Sequence, residues 1–165
     1  MEPKVFNVLF LCTSNSARSL MAEKLLEHWG KGKFKAYSAG SFPNGKVHPL
    51  AIKTLETHGL KTDGLRSKSW NEFSGKNAPH LDFVFTVCDN AAGEVCPIWL
   101  GHPITGHWGI EDPSAAEGSD NEKLLAFQRS FRYLENRIKL FTTLPFDKLD
   151  SLKIKDEIDA IGAIK

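Results

Sequence analysis

Hydrophobic positions change period several times along this chain, and each change marks an element. Residues 5–11, Val-Phe-Asn-Val-Leu-Phe-Leu, are almost unbroken apolar sequence, as expected of a strand covered on both faces. Helical spacing follows at 19–29, where Leu20, Met21, Leu25 and Leu26 share a face and Gly30 offers a stop. Residues 34–38 read as a second strand that ends at Ala39-Gly40, and 48–58 return to helical spacing through Leu50, Ala51 and Leu55, closed by Gly59. After a turn at Asp63-Gly64, residues 67–73 are predicted to form a short helix. A third strand is predicted at 82–87 with Cys88 at its end, and a short fourth within 102–109. The longest helix is predicted at 121–140, with Leu124, Leu125, Phe127, Phe131, Leu134 and Ile138 toward the core and Pro145 beyond its end.

Strand–helix alternation of this kind predicts an α/β fold in three layers: a four-stranded parallel sheet with helices on both faces, of Rossmann type. Its crossovers are expected to be right-handed. Ligands of such sheets bind beyond the C-terminal strand ends. Cys12 and Cys88 both fall at that edge although they are far apart in sequence. Residues 1–144 read as one catalytic-sized domain. Residues 145–165 form a charged extension carrying Leu149, Leu152, Ile154, Ile158 and Ile161, either an amphipathic helix or a partly disordered tail.

Composition narrows the class. A length of 165 residues suits one domain with a real core, and 41% hydrophobic against 25% charged residues is ordinary for a soluble fold. A net charge of +1 gives no case for nucleic-acid or anionic-membrane binding. No apolar run approaches the roughly 20 residues needed to span a bilayer, and Met1-Glu2-Pro3-Lys4 lacks a signal-peptide layout. Three cysteines, an odd number, argue against a secreted disulfide framework and for reactive thiols in a reducing cytoplasm.

The first candidate site is the run from Cys12 through Thr13, Ser14, Asn15, Ser16, Ala17 and Arg18 to Ser19. A Cys and an Arg separated by five residues, between a strand and a helix, can cradle a tetrahedral oxyanion. Loop amides and the helix N-terminus supply positive potential, and the guanidinium takes two oxygens at once. The same field is expected to lower the Cys12 pKa. Asn15 tolerates positive φ, which turns amides inward. The serines serve either as turn formers or as ligands, with Ser19 a donor to the thiolate. Alone, Cys12 would read as a small buried hydrophobe.

Two further constellations bear on this loop. In Trp108-Gly109-Ile110-Glu111-Asp112-Pro113, an Asp held extended by the following Pro suits a general acid, with Glu111 as its competitor. Cys88 and Cys96 flank seven small or polar residues that include Gly93. Such a segment can remodel to bring thiols within the roughly 7 Å Cα separation a disulfide requires. The alternative is a pair of structural cysteines. Zinc is disfavoured, because the six His are scattered without ligand spacing.

Together these residues resemble the low-molecular-weight protein tyrosine phosphatase superfamily, and more closely the arsenate reductases built on that fold. The likeness rests on 12–19 with Met21-Ala22-Glu23, Ser38-Ala39-Gly40, Pro49-Leu50-Ala51-Ile52, the strand ending at Cys88, Cys96-Pro97, and His107-Trp108-Gly109 leading to Asp112-Pro113. It spans about residues 4–141. The resemblance implies Cys12 as nucleophile, Arg18 as clamp, Asp112 as acid, and Cys88 and Cys96 as a thiol relay. The implied oxyanions are arsenate, phosphate or sulfate, and the implied electron donor is thioredoxin or glutathione/glutaredoxin. The donor stays open because the loop between the relay thiols is one residue longer than in thioredoxin-coupled relatives. Those relatives also hold potassium near the loop. Asn15, Glu23 and Ser38 match three ligands, but the acidic fourth position falls on Lys61, whose ammonium can replace the ion's charge, unless Asp63 serves; potassium is thus left open and no other cofactor is predicted. A phosphotyrosine phosphatase using the same Cys12, Arg18 and Asp112 is the alternative. Ser114-Ala115-Ala116-Glu117-Gly118 offers no aromatic to hold a phosphotyrosine ring, which favours a small inorganic oxyanion. A non-catalytic sensor would have lost one of the core residues, and none is missing.

Overall fold

The computed structural model describes residues 4–88 and 102–164. Four strands, β1 (Phe6–Cys12), β2 (Phe34–Gly40), β3 (Phe83–Thr86) and β4 (Ile104–His107), form one parallel sheet in the order β2-β1-β3-β4. Four α-helices accompany them among the described residues: α1 (Arg18–Trp29), α2 (Pro49–Thr57), α3 (Asp120–Thr142) and α4 (Ser151–Gly162).

β1 occupies the interior of the sheet because its side chains are apolar on both faces. Val8, Phe10 and Cys12 join the larger core with residues from all four helices, among them Leu25, Leu55, Phe131 and Ile158. Leu9 and Leu11 point the other way, into a smaller cluster with Phe73, Leu81 and Val84. A helical turn, Trp70–Phe73, contributes to that second face. The α/β class with one four-stranded parallel sheet therefore holds, and among the described residues the four α-helices pack on the Val8 face while this helical turn covers the Leu9 face.

Local sequence explains the helix starts. His48 caps α2 by accepting the Leu50 N–H at 3.1 Å on Nδ1, and Pro49 fills the first helical position. Ser119 and Glu122 form a reciprocal capping box at the start of α3. The helix predicted over 67–73 is shorter than expected. Only Trp70–Phe73 is helical, and Ser69 is extended and bridges to Gly40 at the end of β2. The Lys68 backbone is already engaged, accepting from Gly40 N at 2.9 Å and donating to Asn15 Oδ1 at 2.8 Å, so it has no groups left for a helix.

Strand register fixes where chemistry can occur. Cys12 pairs with Gly40, Leu11 with Thr86, and Thr86 with His107. The strand ends therefore share one edge, and the loops leaving them converge there. None of the described helices is long and apolar enough to cross a membrane.

Candidate active site

The floor of the site is the turn between β1 and α1. Asn15 has φ +48°, a left-handed conformation that Asn tolerates better than most residues. The turn's carbonyls are held from outside: Thr13 O by Phe42 N at 2.9 Å, Ser14 O by Asn44 N at 3.2 Å, and Ser16 O by His48 N at 2.8 Å. Across a trans peptide the following N–H points opposite to its carbonyl. The amides of residues 14, 15 and 17 are thereby turned away from that outer strap. α1 begins behind them with no side-chain cap at Ala17, which leaves first-turn N–H groups for an anion. Gly40 lets this turn lie across the end of β2, since a Cβ there would collide with the Thr13 carbonyl and lie 2.9 Å from the Cys12 carbonyl.

Asn15 ties the turn together. Its Nδ2 donates to Ser19 Oγ at 2.8 Å, and its Oδ1 accepts from Lys68 N at 2.8 Å. Ser14 and Ser16 hydroxyls lie 3.0 Å apart, and Ser67 Oγ donates to Ser14 O at 3.1 Å. Below the turn, Ser38 Oγ donates to Glu23 Oε1 at 2.7 Å. The Lys68 ammonium lies 3.3 Å from Ser38 Oγ and 3.6 Å from Glu23 Oε1. The cation beside Glu23 and Ser38 is therefore Lys68. Lys61 is exposed and lines a surface cleft with Lys24, Glu27 and His28. Asp63 is also exposed, and its backbone carbonyl takes the Lys24 ammonium at 3.1 Å.

Four of the predicted residues meet at the sheet edge. Cys12 and Cys88 are each 2% exposed, and their side chains hydrogen-bond to one another. Thr13 Oγ1 lies 3.7 Å from Cys88 Sγ. Arg18 donates to Ile110 O at 2.9 Å and places its second terminal nitrogen 3.6 Å from Asp112 Oδ2. Asp112 caps the turn Pro113–Ala115, accepting from Ser114 N at 2.9 Å and Ser114 Oγ at 2.6 Å on Oδ1. Its second oxygen is the one turned toward Arg18. Cys96, and the segment joining it to Cys88, lie outside the described residues.

The thiol electrostatics differ from expectation. Cys12 is raised from its ordinary value, first by the hydrogen bond with Cys88 and then by burial, while Arg18 pulls it down. The pairing of two thiols thus opposes the loop's positive field. His48 is lowered by burial, with the Asp112 carboxylate acting in the opposite sense.

A family model for low molecular weight phosphotyrosine protein phosphatase matches residues 7–153. The chain belongs to this family. It is 37% identical over 141 residues to an arsenate reductase of Bacillus subtilis, covering 86% of this chain and 96% of that one. The solved structure of an arsenate reductase in the phosphate binding state is similar, with TM-score 0.68 and 28% identity over 84% of this chain and 97% of that one. A thioredoxin-dependent arsenate reductase from Corynebacterium glutamicum aligns with TM-score 0.56 and 26% identity, over 85% of this chain and 65% of that one.

Within this family frame, sequence reasoning missed two supporting residues. Lys68 carried no signal, because a lone Lys after Ser67 resembles any surface lysine. Arg137 sat within a helical pattern as an ordinary charge. It is buried, and it donates to Trp108 O at 2.8 Å, Gly109 O at 3.2 Å and Ile164 O at 2.9 Å. It thereby fixes the segment that leads to Asp112. A small cleft beside Asp112 is also lined by Tyr133 of α3, an aromatic that inspection of residues 114–118 alone did not reveal.

Proposed function

We propose that this chain reduces arsenate to arsenite. The observation that carries the reading is Cys88, a second thiol in hydrogen-bonding contact with the nucleophile. Hydrolysis of a phosphate ester needs the thiolate, the Arg18 clamp and the Asp112 acid. Reduction needs two electrons as well, and oxidation of the Cys12 and Cys88 thiols to a disulfide supplies them. The arsenate reductases among the relatives support the same choice.

The Cys12 thiolate attacks arsenic(V) of arsenate held by the loop amides and Arg18. Hydroxide leaves as water with the Asp112 proton. Ser19 Oγ accepts from Asn15, so its own hydroxyl proton is available to stabilise the Cys12 thiolate. The Cys88 thiolate then attacks Cys12 Sγ. The S–As bond breaks with its electron pair going to arsenic, arsenite departs, and the Cys12–Cys88 disulfide remains. Cys96 attacks Cys88 Sγ, which frees Cys12 and forms Cys88–Cys96 for reduction by a cytoplasmic donor. Thioredoxin is the donor this reading favours, by likeness to the thioredoxin-dependent Corynebacterium glutamicum enzyme. Glutathione with glutaredoxin is the alternative.

Phosphate-ester hydrolysis is the second reading, favoured by Tyr133 beside Asp112. One comparison separates the two. Arsenite formation is measured beside aryl-phosphate hydrolysis for the parent chain, Cys12→Ser and Cys88→Ser. Reduction by the parent, lost in both variants, with weak hydrolysis kept by Cys88→Ser, is the expected result. Undiminished multiple turnover of arsenate by Cys88→Ser would overturn the relay.

A further inference from the structure

We infer that Lys68 is the resident cation beneath the oxyanion loop, so that this chain positions its nucleophile loop with a covalently attached ammonium where the resemblance to arsenate reductases implies potassium. The inference rests on reading residues 12–18 as an oxyanion loop, and it goes beyond that reading by naming what supports the loop from below.

Three observations carry it. First, the Lys68 side chain is buried, at 9% exposure, yet its ammonium is satisfied. An ammonium has three N–H donors. Three oxygens face it: Arg66 O at 3.1 Å, Ser38 Oγ at 3.3 Å and Glu23 Oε1 at 3.6 Å. Second, the charge balances locally. Glu23 is buried, at 8% exposure, and the Glu72 carboxylate is taken by Arg66. A monovalent metal ion added here would face the ammonium as a like charge and leave a surplus positive charge in a poorly solvated place. The residues present therefore do not fit potassium.

Third, Lys68 reaches the loop through its backbone as well as its side chain. Its N–H holds Asn15 Oδ1, and Asn15 holds Ser19. Its carbonyl accepts from Gly40, on which the Thr13 backbone rests. Glu23 projects from α1 and Ser38 from β2, the two elements flanking the turn. The ammonium thus pins helix, strand and turn to a single point. Lys68 touches neither Cys12 nor Arg18 in this network, which makes it a positioning residue.

Phosphate affinity, read as protection of Cys12 from alkylation, tests this without requiring arsenate turnover. Melting temperature is recorded alongside, in KCl and in NaCl of equal ionic strength. The parent is expected to respond equally to the two salts. Lys68→Met is expected to lose phosphate affinity by about tenfold to a hundredfold, the scale of a small misplacement near a reacting centre, with neither salt restoring it. Lys68→Asp supplies the missing acidic ligand, and is expected to become potassium-dependent in both affinity and melting temperature. A potassium response in the parent would overturn the inference, as would unchanged phosphate affinity in Lys68→Met. A folded Lys68→Asp that is indifferent to potassium would overturn it too. If Lys68→Asp folds in neither salt, Lys68→Met decides alone. Failure of arsenate reduction with these salt responses intact would refute the proposed reaction and leave the resident cation standing.

Discussion

At the scale of single residues, the most consequential contact is between two sulfurs. A nucleophilic Cys at a helix N-terminus is ordinarily activated, yet Cys12 is raised because the Cys88 thiol bonds to it in a buried place. Removing that partner takes away the largest opposing influence and leaves the Arg18 field. Cys88→Ala is therefore expected to move the midpoint of Cys12 alkylation to lower pH than in the parent. An unchanged midpoint would assign the rise to burial alone. Cys12, Arg18, Asp112 and Cys88 were legible in sequence because each stands at a strand end or in a loop with a spacing of its own. Lys68 was not, because its meaning depends on Glu23 and Ser38, which lie 45 and 30 positions away in sequence, and no local pattern encodes that meeting.

Among the elements, α2 shows how a cap links stability to pH. His48 Nδ1 accepts the Leu50 N–H, and its ring packs on Phe127 at 4.6 Å between centroids. Burial lowers the His48 pKa, so the unfolded chain takes up a proton at higher pH than the folded one. Stability is then whole above the unfolded value, about 6.5, and falls as acid drives a proton onto the ring and removes the acceptor. Thermal melts between pH 7.5 and 5.5 are expected to show a smaller acid loss for His48→Asn, which caps without titrating in this range. Equal losses would place the titration elsewhere. Periodicity located α1, α2 and α3 to within two residues, since each hides a helical stripe. It failed at 67–69, where hydrogen bonds to Asn15 and Gly40, both distant in sequence, hold the backbone extended against a local helical pattern.

Across the whole molecule, the order β2-β1-β3-β4 follows from the apolar character of β1 and β3, which demands interior places, and the weaker Ile-Thr-Gly-His of β4 takes an outer one. Alternation alone revealed a parallel sheet but not this order, because strand neighbours depend on which faces the helices cover. It also gave no sign that α4 would lie against β4. Gly106 makes that approach possible: a Cβ there would lie 2.5 Å from Ile158. Trp108 Nε1 then donates to Ile158 O at 3.0 Å. The family match ends at residue 153, so most of α4 lies beyond the matched residues.

This helix has a consequence for the chain's solubility. Among the described residues β4 has a strand neighbour on one side only, and the Lys155 ammonium of α4 reaches the Thr105 carbonyl on it. An outer strand with open backbone groups is a template for another chain, and a lysine is a common guard against such pairing. Ending the chain after Leu149 would remove that guard and uncover the greasy surface under Ile154, Ile158 and Ile161. The shortened protein is expected to scatter light and elute as large assemblies at concentrations where the full chain does not. A monodisperse shortened protein would mean that α4 shields nothing.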